Sequence, residues 1–456
     1  MNTETKKPQN DFGTGPVWRC VMSMALPLTV AQAVHVLYNV VDRVYLGHLA
    51  GSGSLALTGV GLCFPIVAII AAFAALFGNG GTPLCSIARG KGDLARAEQI
   101  LGNSFVLLCI SAAGLMLVGY TLMRPILYAF GASDITWPFA RDYLMIYLLG
   151  TPFALASTGL NGYINSQGFG RIGMYTVTLG AAVNIALDPL FIFVFNMGVN
   201  GAALATVISQ GISAVWVLRF LTGKKALFRL KPAVMRLDGG TVKDISFLGL
   251  PGFIMQLTNS LTQIVCNATL STWGGDVYVG IMTVLNSVRE VFTIPVTGLT
   301  QGCQPVMGYN YGAGKYDRVR QCITFVSIAG FVCSGIMWIF TLATPGFFFR
   351  LFSKDDSLLT LGVPALRLFF MGFFMMSLQF AGQNVFTGLG RAKQAVFFSL
   401  LRKAFIVVPL TLILPYVAGL GVNGVFLAEP ISNVIGGLAC YLTMLRTILP
   451  ELKQKQ

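Results

Sequence analysis

Long apolar runs, separated by short polar and basic stretches, dominate the chain. Runs of at least about 20 mainly apolar residues predict membrane-spanning helices, because a helix rises about 1.5 Å per residue and the hydrocarbon core is about 30 Å thick. The predicted segments are 17–47, 54–82, 97–122, 138–165, 171–196, 200–221, 244–272, 277–307, 320–345, 360–386, 394–418 and 422–446. These twelve segments leave no stretch for a water-soluble domain. The pattern therefore predicts an all-α polytopic membrane protein.

Composition agrees with this pattern and narrows the function. Of 456 residues, 55% are hydrophobic and 11% charged, which is more apolar surface than a soluble protein can bury. The net charge of +14 lies mostly in short loops, which is a topological signal and not a nucleic-acid-binding one. The positive-inside rule predicts that both termini are cytoplasmic. Nine scattered cysteines and two histidines argue for small packing residues and against a zinc or haem centre.

The second half of the chain repeats the first at an offset of about 220 residues. Four motifs recur in the same order: Ala25-Leu26-Pro27 as Gly249-Leu250-Pro251, Gly80–Pro83 as Gly302–Pro305, Gly168–Arg171 as Gly388–Arg391, and Gly198–Gly201 as Gly421–Gly424. Six helices lie on each side of a basic loop, so the two copies have the same orientation in the membrane. We expect two pseudo-symmetric lobes. The predicted bounds are an N-terminal tail (1–16), an N-lobe (17–221), a basic linker (222–243), a C-lobe (244–446) and a C-terminal tail (447–456).

One acidic residue stands inside an apolar segment of the first half. Asp188 at mid-membrane costs roughly 2.5 to 3.5 kcal/mol, so such a residue is a functional candidate. Asn184 lies four residues earlier and therefore shares its helical face. Pro189 leaves the carbonyl of Ile185 without a helical partner, which predicts a bend at Asp188. This group of polar atoms suits a small cation or a proton.

Two further polar residues are predicted at a similar depth. The helical rise places Asp42 about 8 Å, Asp188 about 12 Å and Thr206 about 8 Å from the outer ends of their helices. A lipid-facing carboxylate is unfavourable, so we expect the two acids to face one another. Two carboxylates in one cavity do not both ionise easily. A proton, or Na⁺ held by these residues with Asn184, relieves the repulsion. The competing interpretation places Asp42 at the interface and Thr206 against its own helix backbone.

The second half differs in its charges. Val408 stands where the first half has Asp188, and Glu429 aligns with Thr206. Arg289 and Glu290 are expected to neutralise one another, and Arg402 with Lys403 to extend along the helix to the interface. We therefore expect coupling chemistry mainly in the first half, with Glu429 as a possible further acid.

Several residues are candidates for a substrate cavity. Methionine and aromatic side chains crowd residues 371–380, which suits adaptable binding but is equally typical of core or lipid contact. Polar residues in otherwise apolar helices suit anchoring groups. The candidates are Tyr38, Asn161, Asn165, Asn259, Met375 and Gln379.

Known ATPase and metalloenzyme motifs are absent from the sequence. The driving force is then an ion gradient, or the protein is passive. A flippase for lipid-linked precursors is the first alternative, although a polyanionic cargo calls for more cations than the helices contain. A membrane enzyme or a receptor is a weaker alternative, because clustered acids, a histidine site and an effector domain are all missing.

Three motifs carry a family resemblance: Tyr38–Asp42 with Gly47, Asn184–Pro189 with Gly198–Ala203, and Gln301–Ala313. With two six-helix halves, they make residues 17–446 resemble the multidrug and toxic compound extrusion (MATE) family of cation-coupled antiporters. The resemblance implies a V-shaped pair of lobes, alternating access and export of bulky, often cationic, organic compounds.

The acids resemble those of the prokaryotic branch with a cation site in the N-lobe. That likeness implies binding of H⁺ or Na⁺ by Asp42, Asn184, Asp188 and Thr206. Another branch has a glutamate where this chain has Asn259, so an acid pair of that type is not expected in the C-lobe. We therefore expect a multidrug antiporter in a prokaryotic plasma membrane. We expect a monomer that has no enzymatic activity and binds no nucleic acid. It should need no cofactor and no metal ion beyond a possible Na⁺.

Overall fold

A computed structural model describes residues 11–47, 58–352, 356–417 and 419–455. All regular elements in these ranges are helical. The helices are α1 (Val17–Gly47), α2 (Thr58–Gly90), α3 (Leu94–Thr121), α4 (Met123–Ala129), α5 (Trp137–Leu149), α6 (Thr151–Ser166), α7 (Gly170–Pro189), α8 (Val199–Thr222), α9 (Gly239–Gly274), α10 (Asp276–Gly312), α11 (Tyr316–Ala343), α12 (Pro345–Phe352), α13 (Asp356–Phe370), α14 (Met376–Gly388), α15 (Ala392–Leu400, continuing helically to Tyr416) and α16 (Val422–Gln454).

The described helices account for the predicted spans. Ten stretches are long and apolar enough to cross a membrane, and α5 with α6 forms an eleventh that is bent by 57°. The 36-residue α9 is long enough to be the twelfth, although it carries more polar residues than the others. The all-helical, twelve-span membrane fold predicted from the apolar runs is thus confirmed.

Two prolines within the spans lie next to altered helical turns. After Pro189, the backbone of α7 continues as a π-helix over Leu190–Val194, and a π-helix over Leu401–Val407 precedes Pro409 in α15. Such π turns are frequent at functional sites. The widened turn begins one residue after the proline, and residues Gly170–Val194 form one continuous span. The bend at Asp188 stays a prediction.

The backbone repeats as the sequence does. Gly198 and Gly421 precede α8 and α16 with nearly identical dihedrals, φ 55° with ψ −128° and φ 50° with ψ −128°. A positive φ costs glycine little, because glycine has no Cβ. Gly168 and Gly390 show the same correspondence, with φ 87° and 77°. The internal repeat thus extends from the motifs to the local conformation of the turns.

The chain forms two compact units, and two long helices contribute to both. Unit 1 contains Val30–Phe253 together with the chain through Phe12, and unit 2 contains Gly13–Thr29 together with Ile254–Gln456. The start of α9 therefore packs in unit 1, and the start of α1 packs in unit 2. The predicted bounds of the tails, lobes and linker stay a prediction.

Glycines at equivalent repeat positions allow these helix starts to pack closely. A Cβ on Gly80 would lie 2.8 Å from the Cα of Gly249 in unit 1. A Cβ on Gly302 would lie 2.5 Å from the Cα of Ala25 in unit 2. Residues without bulky side chains are needed where two helix backbones approach this closely.

The basic linker is anchored to unit 1. Glu98 of α3 accepts a hydrogen bond from the backbone N–H of Arg229 (3.0 Å) and forms an ion pair with Lys231 (2.7 Å). The Asn103 side chain donates to the carbonyl of Arg236 (3.1 Å) and accepts from the N–H of Asp238 (2.9 Å). These bonds hold the linker in one conformation along α3.

Candidate functional site

The acidic face predicted on α7 is buried inside unit 1. Asp188 is 0% exposed and Asn184 is 1% exposed. The Asn184 amide donates a hydrogen bond to Asp188 Oδ1 at 3.3 Å, as the four-residue spacing on one helix face allows. The Asn184 Oδ1 and Asp188 Oδ2 atoms are also buried, and neither receives a hydrogen bond from an N–H or O–H of the described residues. Two acceptor oxygens are thus available to a proton or a cation.

The second acid, Asp42 of α1, lies beside this pair. The carboxyl groups of Asp42 and Asp188 are close enough to form a side-chain hydrogen bond. Two carboxyl groups can share such a bond only when one of them is protonated. The two acids are thus neighbours, as helical depth predicts, and their role in holding a proton or a cation stays a prediction.

Aromatic hydroxyls surround the carboxyl pair. Tyr38, one helical turn before Asp42, and Tyr143 of α5 are both electrostatic neighbours of the Asp42 carboxylate. The rings of Tyr143 and Tyr147 stack with their centroids 5.7 Å apart. Gln210 of α8 is in turn a side-chain neighbour of Tyr147. The carboxyl pair therefore lies among hydroxyl and amide groups from four helices.

Tyr143, Tyr147 and Gln210 are absent from the candidates derived from sequence. Their signal in the sequence was a pair of tyrosines four residues apart and an amide in an apolar segment. Both features are common enough in membrane helices that they carried no prediction on their own.

Three other candidate residues of unit 1 contact groups other than the two acids. The Thr206 hydroxyl donates to the carbonyl of Ala202 in its own helix at 3.0 Å, which is the competing interpretation of this residue. Asn161 donates to the carbonyl of Gly173 at 3.1 Å, and the Asn165 side chain packs against the same glycine. Their roles in ion or substrate binding stay predictions.

A second charged group lies in unit 2, and it differs from expectation. Glu429 of α16 accepts hydrogen bonds from Arg289 (3.1 Å), Arg402 (3.5 Å) and Lys403 (3.1 and 3.2 Å). The expected local pair of Arg289 with Glu290 is wrong, because Arg289 bonds to a residue 140 positions away and Glu290 is exposed. This group of Arg289, Arg402, Lys403 and Glu429 is called the basic cluster below.

The expected extension of Arg402 and Lys403 to the membrane interface is also wrong. Both residues belong to the π-helix Leu401–Val407, and they are only 7% and 3% exposed. A buried ammonium or guanidinium group needs a charged partner, which Glu429 provides. The π turn falls at the position where both side chains meet α16, so the altered backbone and the buried charges coincide.

The remaining candidates lie around the basic cluster and in α14. Asn259 is exposed and lines a cavity of about 140 Å³ in unit 2. Gln379 is buried and donates to the carbonyl of Phe398 at 3.2 Å. Met375 ends the short 3₁₀ turn Phe373–Met375 before α14. Only Asn259 shares a described cavity with charged residues, and the three substrate assignments stay predictions.

Both halves of the chain match one known protein family. A family profile described as MatE matches residues 27–190 and again residues 251–413. The two matches have the spacing of the internal repeat, so each half corresponds to one copy of the family domain. The chain is 25% identical to the multidrug export protein MepA of Staphylococcus haemolyticus, over 90% of this chain and 89% of the relative. It is 24% identical to MepA of Staphylococcus aureus, over 94% of both chains.

Solved structures of similar fold cover nearly the whole chain. A crystal structure of MATE in complex with MaL6 matches with a TM-score of 0.92 and 22% identity, over 98% of this chain and 100% of that one. An outward-facing conformation of a multidrug resistance MATE family transporter of the MOP superfamily matches with a TM-score of 0.91 and 22% identity, over 99% and 100%. At this level of identity, the likeness establishes the fold.

Proposed function

The chain belongs to the MatE family, and from this membership we propose that it is a secondary multidrug antiporter. It exports organic, often cationic, compounds in exchange for an inward-moving ion. The relatives that match nearly the full length are named multidrug export proteins, which supports the substrate class. The predicted setting is a prokaryotic plasma membrane, with both termini in the cytoplasm because the basic residues lie in the loops on that side.

The contact between the carboxyl groups of Asp42 and Asp188 is the observation that supports the coupling role. Two buried carboxyl groups hold a proton between them in one state and repel one another in the doubly ionised state. Protonation therefore favours the conformation of unit 1 in which α1 and α7 are in contact. An ion shifts a conformational equilibrium only through its different affinities for the two states, and this pair provides such a difference.

This arrangement favours H⁺ over Na⁺ as the coupling ion. A proton needs two oxygen atoms in contact, which Asp42 and Asp188 supply. A sodium site needs several oxygen ligands around one point. The available oxygens of Asn184 and Asp188 are a partial set, and the Thr206 hydroxyl is engaged with its own helix. Na⁺ binding is the alternative outcome of the experiment below.

The alternative function as a flippase for lipid-linked precursors is not favoured. The basic cluster does gather three of the cations that lie within helices, but the adjoining cavity of about 140 Å³ is smaller than a drug-sized site of about 300–1,000 Å³. A sugar-bearing lipid pyrophosphate headgroup is larger still.

Reconstitution in liposomes tests the proposal. Ethidium movement is measured with a pH gradient and a Na⁺ gradient imposed separately, in the wild type, in Asp188→Asn and in Asp134→Asn. Asp134 is a matched control, because it is an exposed carboxylate of unit 1 that bonds to Tyr128 and lies outside the pair. We expect H⁺-driven exchange in the wild type and the control, and its loss in Asp188→Asn. Intact counterflow in Asp188→Asn overturns the coupling mechanism.

A further inference from the structure

We propose that the cavity beside Glu429 in unit 2 binds the carboxylate group of an organic substrate. This inference rests on the proposed transport function and deepens it. Three features support it: the charge of the basic cluster, the hydrogen-bond donors that it retains, and the size and opening of the cavity.

Positive charge exceeds negative charge in the basic cluster. Three cationic side chains surround the single carboxylate of Glu429, and the amides that line the cavity (Asn259, Gln263 and Asn286) or bond to Arg402 (Asn433) are neutral. Arg402, Lys403 and Glu429 are all at least nine-tenths buried. Excess charge in such a location is unfavourable unless a counter-charge neutralises it. A carboxylate ligand supplies that charge.

The guanidinium groups retain hydrogen-bond donors. Arg289 uses Nη1 for Glu429, and Arg402 uses Nη1 for both Glu429 and Asn433 (3.0 Å). Each guanidinium group has five N–H donors in a planar fork, which matches the two oxygens of a carboxylate. Lys403 contributes a compact third positive charge and bonds to both carboxylate oxygens of Glu429. Arg289 and Lys403 line the cavity, so donors of these two side chains can reach a carboxylate bound in it.

The cavity has room for an anionic group but not for a whole drug. Its volume of about 140 Å³ is bounded by Arg289, Lys403, Phe369 and Cys266. Asn259 and Gln263 of α9 also line it, and both are exposed, so the cavity opens on that side. A carboxylate can reach Arg289 while the bulk of the ring system that bears it remains outside. Arg289, which is 29% exposed, is the cation nearest to the opening.

A pair of dyes that differ by a single group tests this assignment. Rhodamine 110 carries a free carboxylate, and rhodamine 123 is its methyl ester. Fluorescence anisotropy with the purified full-length protein gives a dissociation constant for each dye, and the readout is the ratio of the two constants. The variants are Arg289→Gln, the conservative Arg289→Lys, and Arg367→Gln as a control. Arg367 is an exposed cation of α13 in the same unit that does not line the cavity.

We expect Arg289→Gln to weaken rhodamine 110 about tenfold relative to rhodamine 123, because a charge-assisted hydrogen bond is lost. Arg289→Lys should keep part of the discrimination, and Arg367→Gln should leave the ratio unchanged. An unchanged ratio in Arg289→Gln overturns the inference. Equal weakening of both dyes also overturns it, since it indicates a structural role for Arg289.

A measurement on the wild type keeps the test valid if a variant fails to fold. Millimolar benzoate should displace rhodamine 110, whereas benzamide at the same concentration should not. Displacement by inorganic phosphate but not by benzoate would assign the cavity to a free anion and overturn the substrate assignment. Ethidium exchange is measured on the same preparation. Carboxylate discrimination without ethidium exchange would remove the proposed antiport while leaving the cavity assignment intact.

Discussion

Removing the single carboxylate of the basic cluster should destabilise the protein strongly. In Glu429→Gln, Arg289, Arg402 and Lys403 lose a partner that lies 3.1 to 3.5 Å from each of them. At an effective dielectric constant of about 20, each contact corresponds to an attraction of about 5 kcal/mol. Desolvation and repulsion among the cations cancel much of this energy. Breaking a buried pair by removing one partner costs about 3 to 5 kcal/mol, and we expect a loss in that range.

Thermal unfolding in detergent measures this effect. For a compact unit of about 200 residues, the expected loss corresponds to a melting temperature lowered by roughly 10 °C. The double variant Glu429→Gln with Lys403→Met removes one charge of each sign and should recover at least half of the loss. Glu290→Gln is the matched control, because this glutamate lies in the same unit and is exposed. It should change the free energy of unfolding by less than about 0.5 kcal/mol.

Two results would refute this reasoning. If Glu429→Gln melts within a degree of the wild type, the basic cluster provides no net stabilisation through its carboxylate. If the double variant is less stable than Glu429→Gln alone, Lys403 contributes through packing, and the excess positive charge is not the source of the instability.

Three further predictions concern packing, hydrogen bonding and pH. Gly249→Val should prevent the close packing of α9 on α2, because a Cβ there would lie 1.8 Å from the Leu76 carbonyl oxygen. We expect no folded protein in size-exclusion chromatography, and a normal folded yield would contradict the close contact. Tyr147→Phe removes a hydroxyl beside Gln210 of α8 and should cost less than about 1.5 kcal/mol in thermal unfolding while H⁺ coupling persists. Complete loss of coupling would give this hydroxyl a direct role. Hydrogen bonds from Thr241 lower the pKa of Asp238 below its ordinary value of 3.8. The ionised carboxylate therefore stabilises the fold above pH 3.8, and this contribution disappears as the pH falls through the lowered pKa. Asp238→Asn should therefore lower the melting temperature at pH 7 with a difference that shrinks below about pH 4, and a difference independent of pH would exclude the charge as its cause.

The acids of unit 1 illustrate how far sequence reasoning reached. Their positions in apolar segments identified Asp42 and Asp188 as candidates, and counting residues along each helix predicted their similar depth. The contact between their carboxyl groups agrees with that prediction. The same counting placed Thr206 at the right depth but did not reveal that its hydroxyl bonds to Ala202 of its own helix. Depth follows from helical rise, whereas the partner of a side chain depends on how each helix is rotated.

The cations of unit 2 show where sequence reasoning failed. Arg289 was assigned to its neighbour Glu290, and Lys403 to the membrane interface, because local pairing and snorkelling are the usual solutions for such residues. Both instead bond to Glu429, which is 140 and 26 positions away in the chain. Tyr143 and Tyr147 were overlooked for a related reason. Their importance lies in their contact with α1 and α8, and residue type alone carries no information about that contact.

The amino-acid sequence by itself determined the membrane fold, the twelve spans and the internal repeat, and it identified Asp42 and Asp188 as candidates for ion coupling. Span length and helical periodicity follow from local physics, and the recurrence of Gly198 as Gly421 requires no tertiary information. Only the tertiary structure decided which charges meet, that Glu429 is surrounded by three cations, and that the starts of α1 and α9 pack in different units. Those outcomes depend on contacts between helices distant in the chain, where rotation about each helix axis selects among partners that the sequence leaves equivalent.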